Sequence, residues 1–95
     1  MAKNRHDSGA DAPLEFVLAE IALGVTLAKT ASTRYKYGLA EHGDLAKADA
    51  IKAVQTAKQF IGKLNPEGQL IAQAELAKLE QAVKLIIPSG RAVPD

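Results

Sequence analysis

The chain has 95 residues, which is enough for one domain but too few for two, because half of it cannot bury a stable core of its own. Its 12 basic and 11 acidic side chains leave a formal charge of +1, so no long-range field attracts nucleic acid or an anionic membrane. The absence of cysteine excludes disulfides, thiolate nucleophiles and sulfur-ligated zinc sites, and it fits a cytoplasmic location.

The N-terminal segment is polar and leads into the first predicted helix. Residues 1–11 offer almost nothing to bury, which predicts a disordered arm. Helix 1 is expected to begin near Ala12, with Asp11 as its cap and Pro13 in its first turn, where a missing N–H costs nothing. Apolar residues then recur at steps of three and four, which places them on one helical face: Leu14, Val17, Leu18, Ile21, Val25 and Ala28.

A second apolar face on helix 1 is the most informative local feature of the sequence. Phe16, Leu23 and Leu27 fall on this face, and a helix that is apolar on two faces must be covered on two sides. The apolar run from residue 14 to residue 28 is shorter than the roughly 20 residues of a membrane span, and glutamates interrupt it. We therefore expect no membrane span and no secretory signal.

The apolar pattern of helix 1 weakens at Thr30–Thr33, but no residue there ends the helix. We predict that it continues to about residue 42, with Gly38 costing it up to about 1 kcal/mol. At ~1.5 Å per residue, such a helix is roughly 45 Å long. The alternative is a kink between Thr30 and Thr33.

Helix 2 is predicted over residues 45–64, after a turn at His42–Asp44. Gly43 can take the left-handed conformation that ends a helix, and Asp44 can cap the next one. Small residues on one face of helix 2 allow a neighbouring backbone to approach closely, and larger ones fill the far end. The face consists of Ala46, Ala50, Ala53, Ala57, Phe60 and Leu64, widened by Ile51, Val54 and Ile61. The lysines of the outer face are Lys47, Lys52 and Lys63.

Helix 3 is predicted over residues 66–87, with Asn65 as its cap, Pro66 at its first position and Glu67 in its first turn. Pro88 stops it and leaves residues 88–95 as a tail. Its apolar face consists of Ala72, Leu76, Leu79, Val83 and Ile86. Because tight turns join the helices, neighbours run antiparallel, and the sequence predicts an all-α, three-helix up-down bundle over residues 12–87 with a long first helix.

Three resemblances to known proteins agree with this fold. The stretch GDLAKA at residues 43–48 resembles the turn of a tetratricopeptide repeat, although the proline that would close such a repeat stands after Phe60, at Pro66. The three-helix plan with a long second helix resembles microtubule-interacting-and-transport domains, which bind amphipathic peptide helices. The segment EIALGVTL at residues 20–27, followed by Tyr37, Gly43–Asp44 and an alanine-rich helix, is similar to short bacterial proteins of unknown function. This last resemblance implies the same bundle and no activity.

Candidate chemical sites in the sequence are few. Glu41, His42 and Asp44 cluster at the predicted turn, but ligands from one exposed turn seldom close a metal site, so we expect a solvated turn. Arg34 and His42 resemble the arginine–histidine pair of some helical ribonucleases, at a longer spacing than those motifs use. No serine has a histidine placed to activate it, and no glycine-rich phosphate loop is present. We therefore predict no enzyme, no cofactor and no small-molecule substrate.

The remaining feature is the uncovered apolar surface of helix 1. Helices 2 and 3 span about 30 Å each, so they leave part of a longer helix 1 exposed. We predict a protein-interaction module that binds a protein partner or a second copy of itself as a homodimer. The candidate contact residues are Phe16, Leu23 and Leu27.

The alternative is a protein that binds nucleic acid weakly. Arg34, Tyr35, Lys36 and Tyr37 alternate cations with aromatic rings, which single-stranded nucleic acid can exploit by stacking, and the lysines of helix 2 would add charge. Adjacent helical residues point about 100° apart, however, so these four do not form one platform. We expect one tyrosine to pack on the bundle and the cations to face water.

Overall fold

The computed structural model describes the backbone of residues 2–86 and the side chains of residues 12–86. It contains three helices: α1 (Ala2–Lys36), α2 (Ala40–Ile61) and α3 (Pro66–Lys84). Residues 2–86 contain no strand. The prediction of an all-α fold with a long first helix is confirmed, and each helix packs against both of the others.

Two buried clusters show that neighbouring helices run antiparallel. In the first cluster, Val17 near the middle of α1 groups with Ile61 at the end of α2 and Ala72 near the start of α3. In the second cluster, Tyr35 at the end of α1 meets Ala46 near the start of α2, and Ile86 after α3. The chain therefore runs up, down and up again, as tight turns between helices require.

The face of α2 that packs on α1 is built largely of alanines, as the small-residue pattern of helix 2 predicted. Ala46, Ala50, Ala53 and Ala57 are all buried. On the α1 side, Gly24 is buried so closely that a Cβ built on it would lie 2.7 Å from Leu79 Cδ2 and 2.9 Å from Ala53 Cβ. Glycine and alanine let the helix backbones approach, and Leu79 of α3 fills the space beside them.

The first turn lies earlier in the chain than the sequence suggested. Helix α1 ends at Lys36 instead of about residue 42, and α2 begins at Ala40 instead of residue 45. Gly38 takes the left-handed conformation, with φ +78°, that was predicted for Gly43. The left-handed region is open to glycine at little cost, so α1 ends at the first glycine that follows Tyr35 and Lys36.

Gly43 has a packing role inside α2. A Cβ on Gly43 would lie 2.7 Å from two carbons of the Tyr35 ring, which is buried. The Tyr35 hydroxyl donates a hydrogen bond to the Asp44 carboxylate in the next position of α2. Asp44 is therefore a partner of Tyr35 and does not cap a helix, while Leu39 precedes α2 without a side-chain capping bond.

The start of α3 follows the sequence prediction. The Asn65 side chain accepts a hydrogen bond from the Gly68 backbone N–H at 2.7 Å, and Pro66 is the first residue of the helix. The other helix ends differ by a few residues: α2 ends at Ile61 instead of residue 64, and α3 at Lys84 instead of residue 87. Helix ends commonly shift in this way because the final turns tighten or fray.

At its N-terminal end, α1 is longer than predicted. Its backbone begins at Ala2, in the segment expected to form an arm, and Pro13 lies inside the helix. A long helix tolerates an internal proline, which removes one backbone hydrogen bond. The helix passes through Thr30–Thr33 without a break, as the favoured prediction required. The side chains of residues 1–11 and the predicted tail, residues 88–95, lie outside the described part of the chain.

Candidate interaction surface

The outer side of α1 is exposed because α2 and α3 cover only its inner side. Phe16 is 46% exposed and Leu23 is 51% exposed, although both are large apolar residues. They stand seven residues apart, which is two helical turns, so they lie on the same side of the helix. Two of the three predicted contact residues are therefore available to solvent on one face of the subunit.

Phe16 and Leu23 belong to a longer row of residues on this side, which we call the α1 seam. Its members are separated alternately by four and three residues, which is the spacing that faces a partner helix in a coiled coil. None of them is buried. The α1 seam consists of Ala12, Phe16, Ala19, Leu23, Thr26, Thr30 and Thr33.

Phe16 is held in place by a neighbour on α2. Its ring meets the Phe60 ring edge to face, with centroids 5.2 Å apart and an interplanar angle of 76°. The Lys63 ammonium lies 4.9 Å from the centroid of Phe60. Phe60 was predicted to lie in the core-facing row of helix 2; it is half-buried and packs against the first buried cluster, and its ring also borders the α1 seam. The apolar side chain alone does not tell whether residue 60 lies inside the core or at its edge.

Leu27, the third predicted contact residue, is placed differently. It is half-buried and packs against the second buried cluster, which contains Ala28, Tyr35 and Ala46. It lies beside the α1 seam, four residues after Leu23, and most of its contact is made within the subunit. Leu27 therefore contributes mainly to packing within the bundle, and we do not count it in the α1 seam.

The charges that flank the α1 seam are separated along the helix. The N-terminal half carries Glu15 and Glu20, and the C-terminal half carries Lys29, Arg34 and Lys36. Glu15, Lys29 and Lys36 are exposed, and the other two are half-buried. The formal charge of the chain, +1, hides this division because the two halves nearly cancel.

The residues of the nucleic-acid alternative point in different directions. Tyr35 is buried in the second cluster, whereas Tyr37 is among the most exposed large side chains of the described residues. Arg34 donates a hydrogen bond through Nη1 to the His42 backbone carbonyl at 3.2 Å, and Lys36 is exposed. The four residues form no common platform, and one tyrosine packs on the bundle as expected.

The two small residue sets that the sequence offered for chemistry both lie at the junction of α1 and α2. Glu41, His42 and Asp44 all lie in the first turns of α2, and Asp44 accepts the hydrogen bond from Tyr35. Within the described side chains, no group of three or more histidines or carboxylates gathers where it could hold a metal ion. Arg34 meets the backbone of His42, which serves to join the end of α1 to the start of α2.

The described surface has shallow grooves between the helices. One of about 300 Å³ lies where Pro13 and Leu14 approach the turn between α2 and α3, and it is lined by Asn65, Glu67 and Ile71 among others. A second, of about 350 Å³, runs between α2 and α3 beside Ile51 and Glu80. A third, of about 350 Å³, lies between α1 and α3, and no histidine lines any of these grooves. They result from helices packing side by side.

No protein-family model, curated protein or solved structure matches this chain. The resemblances to the tetratricopeptide repeat, to microtubule-interacting-and-transport domains and to short bacterial proteins therefore stay predictions. Among the described residues, none of the three helices combines the length and the apolar content that crossing a bilayer demands.

Proposed function

We propose that the protein is a cytoplasmic, non-catalytic interaction module that forms a homodimer through the α1 seam. The observation that supports the proposal is the half-exposure of Phe16 and Leu23 on a regular row of apolar, small and hydroxyl-bearing residues. Exposed apolar residues that occur singly are normal in soluble proteins. Here two large apolar side chains share one side of α1 with alanines and threonines at coiled-coil spacing, and these small neighbours let a second helix approach.

The exposed area predicts a weak dimer. Fully burying a phenylalanine or leucine side chain contributes about 1.5–3 kcal/mol, so burying the exposed half contributes about 1 kcal/mol each. Phe16 and Leu23 of two copies together contribute about 4 kcal/mol, which only just reaches the lower estimate of the cost of association. The smaller residues of the seam therefore supply the net free energy, at about 0.5 kcal/mol for each of the ten in two copies. We expect a dissociation constant between about 0.1 mM and 1 mM.

Sedimentation velocity over a concentration series tests the proposal. The natural protein is expected to shift from monomer to dimer as its concentration rises from about 10 μM to about 1 mM. Leu23→Lys is expected to stay monomeric, because it places a charge in the centre of the seam. The matched control is Leu70→Lys, since Leu70 is 70% exposed on α3 and lies outside the seam.

Two results would refute the proposal. One is a natural protein that stays monomeric across the series. The other is a Leu70→Lys variant that loses association as completely as Leu23→Lys, because the contact would then not depend on the α1 seam. Far-UV circular dichroism on each variant checks that the helices are intact.

The nucleic-acid alternative is tested separately. Arg34, Lys36 and the outer lysines of α2 are the residues that would contact phosphates. A fluorescence-anisotropy titration with a labelled single-stranded oligonucleotide at low salt should show no binding if the interaction module is correct. Binding that weakens steeply with added salt, and that Lys36→Gln reduces, would support the alternative.

A further inference from the structure

From the seam and its charges we infer that the two copies pair with their α1 helices antiparallel, in a register that places Leu23 opposite the partner's Thr26. This inference rests on the proposed homodimer and adds its orientation and register. The two-fold axis then passes midway between Leu23 and Thr26, so a residue before the axis faces the partner's residue that lies equally far after it. The facing pairs are Phe16 with the partner's Thr33, Ala19 with the partner's Thr30 and Leu23 with the partner's Thr26.

The first argument is side-chain volume. Phe16 and Leu23 occupy one set of heptad positions, and Ala12, Ala19 and Thr26 occupy the other. An antiparallel pair places each large residue opposite a smaller one, so the two surfaces interdigitate. A parallel pair places like opposite like, which crowds the two copies of Phe16 and leaves a gap between the two copies of Ala19.

The second argument is charge. The residues just before one set of heptad positions are Glu15 and Lys29, and those just after the other are Glu20 and Arg34. In a parallel pair, a residue that precedes the first set faces the partner's residue five positions later. Glu15 would therefore face the partner's Glu20, and Lys29 would face the partner's Arg34. Both contacts are repulsive. Parallel pairing therefore places like charges together at both ends.

Antiparallel pairing reverses this relation. The acidic N-terminal half of one α1 then lies beside the basic C-terminal half of the other, and Glu15 comes level with the partner's Lys36. Both side chains are exposed in the subunit, so neither has to leave a buried contact to meet the other. The two-fold symmetry repeats this ion pair, and opposite charges across an interface favour one orientation over the other. A shift of one heptad, with Leu23 opposite the partner's Ala19, would bring the two copies of Glu20 together, so the charges favour this register as well.

Cysteine cross-linking tests the register, because the chain contains no cysteine of its own. Ala19→Cys and Thr30→Cys are made in separate full-length proteins, one of them tagged, and the two are mixed under mild oxidation. Antiparallel pairing predicts that the mixed disulfide exceeds either self-disulfide by about tenfold, since two copies of residue 19 would lie roughly 16 Å apart along the axis. The control is Ala77→Cys, an exposed position of α3, which measures disulfides formed by random collision.

Charge reversal tests the orientation by the sign of its effect. Antiparallel pairing predicts that Glu15→Lys and Lys36→Glu each weaken dimerisation about threefold to tenfold, and that the double variant restores it to within about twofold. Parallel pairing predicts that Glu15→Lys strengthens the dimer, because it removes the repulsion from the partner's Glu20.

The outcomes separate the orientation from the dimer itself. If the natural protein dimerises but the Ala19→Cys or Thr30→Cys variant gives more self-disulfide than mixed disulfide, the antiparallel register is overturned and the proposed homodimer stays intact. Tighter dimerisation of Glu15→Lys has the same consequence. A natural protein that stays monomeric overturns both. Mixed disulfides no more abundant than random pairing predicts also overturn the register.

Discussion

Replacing Gly24 with alanine should destabilise the protein, although alanine is the better helix former. The added Cβ would lie 2.7 Å from Leu79 Cδ2 and 2.9 Å from Ala53 Cβ, about 1 Å closer than carbon atoms pack at their optimum. Leu79 is fully buried and cannot turn towards solvent, and the Ala53 Cβ moves only with the backbone of α2.

The size of the effect follows from two opposing contributions. Overpacking a close-packed core costs about 1–3 kcal/mol, and the rigid neighbours of Gly24 favour the upper part of this range. Alanine recovers up to about 1 kcal/mol through its higher helix propensity. We therefore expect Gly24→Ala to lower the free energy of unfolding by about 1–2 kcal/mol.

The matched control is Gly62→Ala. Gly62 follows α2 with φ −61°, and a Cβ there would meet no atom within 4 Å. This substitution should be neutral or should stabilise the fold by up to about 1 kcal/mol, because alanine restricts the unfolded chain. Urea denaturation followed by far-UV circular dichroism measures the free energy of unfolding of both variants. The two values can be compared if the free energy falls with urea concentration at the same slope in each variant. A Gly24→Ala variant as stable as Gly62→Ala would refute the close-packing argument.

Two further predictions concern the junction of α1 and α2. Tyr35→Phe should lower the free energy of unfolding by about 1 kcal/mol, because the Asp44 carboxylate loses its hydroxyl donor, and adding Asp44→Ala should cost little more than either change alone. Thermal denaturation of the two single variants and the double variant measures this coupling, and fully additive losses would contradict it. Gly38→Ala should cost about 1–2 kcal/mol because φ is +78°, whereas Gly38→Asn should cost less; equal stability of the alanine variant in urea would be inconsistent with the left-handed turn.

The helices could be predicted from the sequence because apolar spacing and capping residues act locally. Asn65 and Pro66 fixed the start of α3 correctly, since the capping bond to the Gly68 backbone involves residues three positions apart. The first turn was placed wrongly because Gly38 and Gly43 each follow a segment whose sequence suits a helix, so either glycine could end it. Only the contact of Gly43 with Tyr35 explains why one glycine turns the chain and the other does not.

The candidate surface was predicted in part for a similar reason. The periodicity of α1 identified Phe16 and Leu23 as a face separate from the core, and both are half-exposed. It could not decide that Leu27 packs inwards, because that depends on where α2 crosses α1. Nor could it show that Phe60 borders this face, since the sequence pattern does not separate an apolar residue beside the core-facing row from one within it.

The alanine contact between α1 and α2 has a consequence for how the subunit is ordered. Alanine has no rotamers to lose, so Ala50 and Ala57 become fixed at no cost in side-chain entropy. The same small side chains also remove little apolar area from water, which leaves Leu79 and Val17 as the largest fully buried groups among the described residues. The alanine face of α2 is thus ordered at little entropic cost, and side chains of α1 and α3, among them Val17 and Leu79, supply the larger buried apolar groups.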